Sequence, residues 1–249
     1  MADESSIELN SNSTDHLASV AKVITGMVPV AGVLLSEIVG NKIPNQRVDR
    51  IARFLEELSK RLKEIEEETL RARLTSSEGV DLLEDAFFQA ARTLTEERTE
   101  HLANLLAHGF TTDQLDYAQT KRLLWLLGQL SDEEIVILRS SLAKNAADDE
   151  ADSDFREKND ELLRGRHLKE DTPPEEYDKE ALISSYYQHL RDLQLIKSRS
   201  TPKQFHEFSK SEREELAIKP WEIRGPEITR LGEMLLDHLD MIPEWYQRT

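Results

Sequence analysis

The seven histidines of this chain are the side chains best suited to bind a metal ion or to act as a general base. No two of them flank a Glu at i and i+4, the spacing that zinc proteases use on a helix. His101 and His108 stand one heptad apart on a predicted helix, but no third ligand is near them in the sequence. We therefore predict no metal site and no catalytic histidine.

Other residue types that carry enzymatic chemistry are absent or scattered. The chain has no Cys, which excludes thiolate nucleophiles and cysteine-based zinc sites. It has no G-x-S-x-G elbow, Walker loop or dinucleotide fingerprint, and its nine glycines occur singly. These observations predict a protein that is not an enzyme and that needs no cofactor.

Composition predicts long helices with a heavily charged surface. The 249 residues are 38% apolar and 33% charged, and they include only nine Gly and eight Pro. Because turn-forming residues are scarce, we expect a mostly α fold built from many helices. The net charge of −17 repels phosphate backbones and argues against nucleic acid as a partner. Only a local basic patch could overcome this repulsion, and its candidate residues are Arg191, Lys197 and Arg199.

The first 40 residues combine an acidic arm with the most apolar stretch of the chain. Residues 1–16 carry four acidic residues and no Lys or Arg, so we predict a disordered arm. Residues 17–40 are predicted to form an apolar helical hairpin, because Gly and Pro interrupt a run shorter than the ~20 residues of a simple membrane span. This segment could be buried, form an interface or insert into a membrane, and burial is favoured. Its apolar residues are Val23, Ile24, Met27, Val30, Val33, Leu34 and Leu35.

A heptad pattern follows and predicts one long helix over residues 46–74. Apolar side chains at alternating intervals of three and four form a seam that must pack on another helix. Residues 80–94 repeat this spacing, so an intramolecular hairpin is favoured over an intermolecular coiled coil. Residues 17–143 are thus predicted to form a helical body, in which Gly109 ends a helix in the left-handed conformation. The seam residues are Val48, Ile51, Leu55, Leu58, Leu62 and Ile65.

The C-terminal part of the chain predicts a winged-helix-like unit over residues 131–249. Ser131 and Glu134 have the spacing of a capping box and start a helix. Another helix, two extended stretches and a last helix then follow in the order of a winged helix. Residues 145–180 interrupt this unit with fourteen acidic residues against six basic ones. We expect a solvated insertion there, helical in part at most.

Three leucine-rich segments stand out in the sequence: ERTEHLANLLAHGF at 97–110, LLGQLSDEEIVIL at 126–138, and HLRDLQLI with ITRLGEMLLDHL near the end. In order, they resemble the Abi-alpha family, helical bacterial and phage proteins linked to abortive infection. Asn104 and Gly232 are the most distinctive residues of this resemblance, which spans residues 20–239. It implies an apolar N-terminal segment, a helical body and a winged-helix-like tail, in a setting of anti-phage defence and without a catalytic set. The long acidic insertion departs from the more compact family pattern.

Together, these features predict a non-enzymatic anti-phage protein that acts by association with protein partners or with copies of itself. A membrane-perturbing role of residues 17–40 would add to this activity. Two alternatives stay open, a winged-helix regulator that binds DNA and an adaptor subunit of a larger defence complex. We expect the chain in the bacterial cytoplasm, peripheral to the inner membrane if residues 17–40 act there.

Overall fold

Helices form most of the described part of the chain, which confirms the predicted mostly α class. The structure is a computed structural model that describes residues 45–111, 116–142, 150–164, 172–198, 226–244 and 246. The predicted acidic arm and apolar hairpin lie outside these residues. The described elements are α1 (Asn45–Arg61), α2 (Glu67–Thr75), α3 (Ser77–Ala90), α4 (Glu96–Thr111), α5 (Tyr117–Gln129), α6 (Asp132–Ser140), α7 (Glu150–Lys158), α8 (Asp160–Leu163), α9 (Pro174–Asp192), β1 (Ile196–Ser198), β2 (Pro226–Ile228) and α10 (Arg230–His238).

The chain divides into two compact units. The first unit is Met1–Gln129 together with His238–Asp240, and the second is Leu130–Asp237 together with Met241–Thr249. Each has its own buried side chains, and the two are described separately below.

The predicted heptad seam faces partners within the first unit. Its α1 members from Ile51 to Leu58, and Leu62 just after the helix, are each at most 4% exposed, whereas Ile65 is half-buried. Helix α1 packs against α4 and α3, where Phe54 meets Phe87 edge to face with the ring centroids 6.2 Å apart. Val48 lies on α1, but its side chain is outside the described part of the structure.

The predicted single helix over residues 46–74 is wrong, because the chain turns at residues 62–65 between α1 and α2. Glu67 and Glu68 occupy the first turn of α2, where the positive end of the helix dipole stabilises carboxylates. The acidic run therefore favours a new helix start over a continued helix. The new helix buries a different pair of side chains, Leu70 and Leu74.

Gly109 does not end a helix in the left-handed conformation, contrary to expectation. No described glycine has a positive φ, and α4 continues to Thr111. A Cβ at position 109 would lie 2.7 Å from Cγ2 and 2.8 Å from Oγ1 of Thr120 on α5. These distances are well below the usual ~3.5 Å of carbon contacts, so the absence of a side chain lets α4 and α5 approach closely.

The predicted capping box is present at the start of α6 in the second unit. The Ser131 hydroxyl accepts the Glu134 N–H at 3.2 Å, and the Glu134 carboxylate accepts the Ser131 N–H at 2.8 Å. The other Glu134 oxygen lies 2.6 Å from Nδ1 of His189 on α9. The buried Glu134 carboxylate thus both caps α6 and joins it to α9.

Helix α9 begins at Pro174, inside the predicted acidic insertion of residues 145–180, which was expected to be helical in part. Pro is favourable in a first helical turn, where its missing N–H would have no partner within the helix. Part of the insertion also packs within the second unit, since the Arg139 guanidinium of α6 lies over the Phe155 ring of α7, 5.0 Å from its centroid.

The two short strands of the second unit form an antiparallel pair before the last helix. Ile196 lies opposite Ile228, and Ser198 lies opposite Pro226. A Cβ at Gly232 in α10 would collide with the Leu195 carbonyl oxygen and would lie 2.8 Å from Cγ1 of Ile228. A glycine at this position therefore allows α10 to pack closely on the strand pair.

Candidate protein-binding surface

The sequence suggested three sets of contact residues: the heptad seam, the apolar segment and the basic patch. Within the described residues, these sets do not form one contact site. The seam is largely buried, and the apolar residues from Val23 to Leu35 lie outside the described residues. In the second unit, Arg191 hydrogen-bonds within its own helix, and Lys197 pairs with Glu227 at 3.4 Å. Arg199 also lies outside the described residues.

Helices α3 and α5 of the first unit face each other through two matched stripes of side chains. Residues spaced by three or four positions share one face of a helix, which defines each stripe. Both stripes begin with polar residues and end with an aromatic ring. They are Asp81, Asp85 and Phe88 on α3, and Tyr117, Lys121 and Trp125 on α5.

The polar ends of the stripes form one network. The Tyr117 hydroxyl donates to Asp81 at 2.9 Å, and the Lys121 ammonium lies between Asp81 and Asp85, 2.8 Å from the latter. The hydrogen bond from Lys121 holds the pKa of Asp81 below its usual range. Burial would lower the pKa of Lys121, but hydrogen bonds with the two carboxylates raise it instead. Asp81 and Lys121 are therefore ionised at neutral pH, and their pairing holds the two helices in register.

The aromatic ends of the stripes are exposed at the same helix contact. The Gln89 side chain donates to the Leu124 carbonyl at 2.9 Å, next to Phe88 on one helix and Trp125 on the other. Phe88 is 50% exposed and Trp125 is 44% exposed, whereas Leu124 beside them is fully buried. The two rings therefore extend outward from a filled helix contact.

Exposed residues that neighbour these rings in the sequence or in space add charge and apolar area. The Arg122 guanidinium lies over the Trp125 ring, 4.4 Å from its centroid, which is a cation–π geometry. Leu94, which follows α3, is 82% exposed. We call Phe88, Leu94, Arg122 and Trp125 the aromatic surface. An apolar centre with a charged rim is the usual anatomy of a protein–protein interface.

A second group of functional side chains in the first unit joins His108 of α4 to His238. The ring centroids are 3.9 Å apart, with the ring planes tilted by 39°. Nε2 of the buried His238 lies 3.2 Å from the amide nitrogen of Gln119. Imidazole nitrogens are common metal ligands, so these are residues that could hold an ion.

Neither group was predicted from the sequence, because each joins residues that are distant in sequence. Phe88 and Trp125 lie on helices that adjoin only through the packing of α3 on α5. The spacing of Asp81 to Asp85 and of Lys121 to Trp125 was a local signal of two helix faces, but not of their pairing. His108 and His238 have no such local signal.

Comparisons with known proteins give no relative from which a function could be transferred. No protein-family model, curated protein or solved structure is significantly similar to this chain. Among the described helices, none is both long enough and apolar enough to cross a membrane. Function must therefore be inferred from the side chains of this chain.

Proposed function

We propose that this chain is a non-enzymatic protein that acts by binding another protein through the aromatic surface, in the anti-phage setting that the Abi-alpha resemblance implies. The observation that carries the proposal is the exposed Trp125 with Arg122 over its ring on α5, together with exposed Phe88 on the adjoining helix α3. Trp and Arg are among the residues most enriched at the energetic centres of protein interfaces. An aromatic ring also gives a large contact area for a small loss of conformational entropy.

Folding of the first unit does not account for the aromatic surface. Phe87 and Leu124, the chain neighbours of the two exposed rings, are fully buried and fill the core beneath them. Phe88 and Trp125 leave about half of their side-chain area in water, which is unfavourable in the unbound protein. Grouped exposed aromatic residues are typical of a binding surface.

The charges around the rings favour a partner that presents carboxylates beside an apolar side chain. Arg122 lies over the Trp125 ring, and Arg92, four residues after Phe88, is also exposed. Lys121, in contrast, is already neutralised by two aspartates. Glu84, one turn before Phe88, supplies an opposing charge. A second copy of this chain would carry the same net charge of −17, and the repulsion disfavours self-association. The proposed partner is therefore a different protein.

The described part of the second unit gives less support to the DNA-binding alternative. Its order of α6, α9, β1, β2 and α10 agrees with a winged helix. However, α9, which would be the recognition helix, carries five acidic residues against one Lys and one Arg. Lys179 also pairs with Glu161 and Glu176, which reduces the charge available to a phosphate.

Phage plating tests the proposed function directly. The full chain is expressed in a bacterial host, and plating efficiency is compared for the parent and for a Phe88→Ser/Trp125→Ser double variant. We expect the parent to reduce plating and the variant to lose this effect, because it lacks both aromatic contacts. Circular dichroism should show the same helix content for both proteins, since the replaced side chains are exposed.

A Tyr177→Ser/Leu182→Ser variant is the matched control. Both residues lie on α9, where Tyr177 is 44% exposed and Leu182 is 54% exposed. This control should protect like the parent. A photoreactive phenylalanine analogue at position 125 should form an adduct with a different protein during infection. The proposal is contradicted if the parent does not reduce phage plating, or if the Phe88/Trp125 variant protects fully. It is also contradicted if the adduct is a dimer of this chain.

A further inference from the structure

The two histidines of the first unit are placed to act on one ligand. His108 is half-buried on α4 and His238 is 4% exposed. Their candidate ligand nitrogens lie within 4.8 Å of one another. Two imidazoles on one tetrahedral Zn²⁺ have nitrogens ~3.4 Å apart, because each Zn–N bond is about 2.0–2.1 Å. A small rotation of the half-buried His108 side chain would therefore bring both nitrogens to one ion.

The hydrogen bond of His238 identifies a lone pair that a metal could use. The amide nitrogen of Gln119 can only donate, so the His238 Nε2 at 3.2 Å must accept. An accepting Nε2 carries no proton, which is the state that a metal ligand requires. The Gln119 amide therefore occupies a lone pair that a cation could use instead, and its side chain could rotate away on binding.

The backbone around this pair is held in place before any ion binds. The Asn104 amide, one helical turn before His108 on α4, donates to the Leu239 carbonyl at 3.0 Å. Leu239 directly follows His238, so one hydrogen bond fixes the separation of the two histidine backbones. A rigid backbone lowers the entropy lost when the ligands converge on an ion.

We infer that His108 and His238 form a binding site for a divalent transition-metal ion, and that Zn²⁺ is the ion that suits it. Imidazole ligands favour Zn²⁺, Cu²⁺ and Ni²⁺ over Mg²⁺ and Ca²⁺, which prefer oxygen. Water fills the coordination positions that the protein does not supply. Such an ion would crosslink α4 to the segment His238–Asp240 within the first unit, and it would stabilise that unit.

Calorimetric titration of the metal-free full chain with Zn²⁺ tests this site. Excess Mg²⁺ in the buffer masks the many surface carboxylates, which would otherwise bind Zn²⁺ weakly. We expect saturation at one Zn²⁺ per chain and a higher thermal midpoint when Zn²⁺ is present. His108→Ala and His238→Gln should each weaken binding at least tenfold and abolish the rise in thermal midpoint, because each removes one imidazole ligand.

The control variant is His101→Ala, which removes a histidine one heptad earlier on the same helix and should bind Zn²⁺ like the parent. Gln at position 238 keeps a polar side chain in this buried place, and circular dichroism verifies the fold of each variant. The inference is overturned if the parent shows no saturable binding at one ion per chain. It is equally overturned if a folded His108→Ala variant binds Zn²⁺ as tightly as the parent.

Discussion

Lys121 shows how one residue can fix the register of two helices. It pairs with Asp81 and Asp85 across α3 and α5, and the Tyr117 hydroxyl also donates to Asp81. These side chains are partly exposed, so we expect Lys121→Met to cost about 1 kcal/mol or less of unfolding free energy at neutral pH. Urea denaturation at several pH values measures this cost.

The pH dependence of this cost follows from the lowered pKa of Asp81. A carboxyl group whose pKa is lower in the folded state stabilises the fold above its unfolded pKa of about 4, and this contribution is lost as the pH falls through the folded value. The difference between Lys121→Met and the parent should therefore shrink in acid. Lys121→Arg keeps the charge and should track the parent. A difference that stayed constant down to the acid transition would contradict the assigned pairing.

Asn104 and Gly232, the most distinctive residues of the Abi-alpha resemblance, have structural roles in this chain. Asn104 hydrogen-bonds both Arg61 of α1 and the Leu239 carbonyl within the first unit. Gly232 allows the close approach of α10 to Leu195 in the second unit. Both residues therefore contribute to the packing of the fold.

At the scale of the element, the capping box was a reliable local signal, whereas periodicity and a lone glycine were not. The capping box at Ser131 correctly predicted the start of α6, because it depends only on residues three positions apart. The single helix over 46–74 was wrong because periodicity alone does not show where the next helix can pack. Gly109 was misassigned for a related reason, since only the structure shows Thr120 against it.

The contact between Gly109 and Thr120 gives a prediction about two packed helices. Gly109→Ala should destabilise the protein by about 1–3 kcal/mol, because the added methyl group overpacks α4 against α5. This loss should exceed the gain of up to ~1 kcal/mol that Ala brings to a helix interior. Thermal and chemical denaturation measure the net effect.

A double-mutant cycle isolates the steric cause. Thr120→Ala removes both atoms that the new methyl group would meet below 3 Å, so Gly109→Ala should cost less in that background than in the parent. Strict additivity of the two substitutions would show that the close approach of these helices is not the cause.

At the scale of the whole molecule, composition predicted the fold class but not the candidate sites. Scarce Gly and Pro with many charges correctly indicated a mostly α chain. The aromatic surface and the histidine pair depend on contacts between segments far apart in sequence, and hydrophobic periodicity carries no information about which segments meet.

The whole-molecule charge gives the last prediction, which concerns DNA. Binding to a duplex releases counterions in proportion to the phosphates neutralised, so it requires unpaired basic side chains on the contacting face. This chain has a net charge of −17, an acidic α9, and Lys197 paired with Glu227. We expect fluorescence anisotropy to show no sequence-specific duplex binding at physiological salt. The anisotropy of the DNA should be the same with the parent and with the Arg191→Ala/Lys197→Ala/Arg199→Ala variant. The opposite result would be submicromolar binding that weakens steeply with salt and is lost in this triple variant. As a control, the Arg71→Ala variant, which changes an exposed residue of the first unit, would keep that binding. Such a result would identify the second unit as a DNA-binding winged helix.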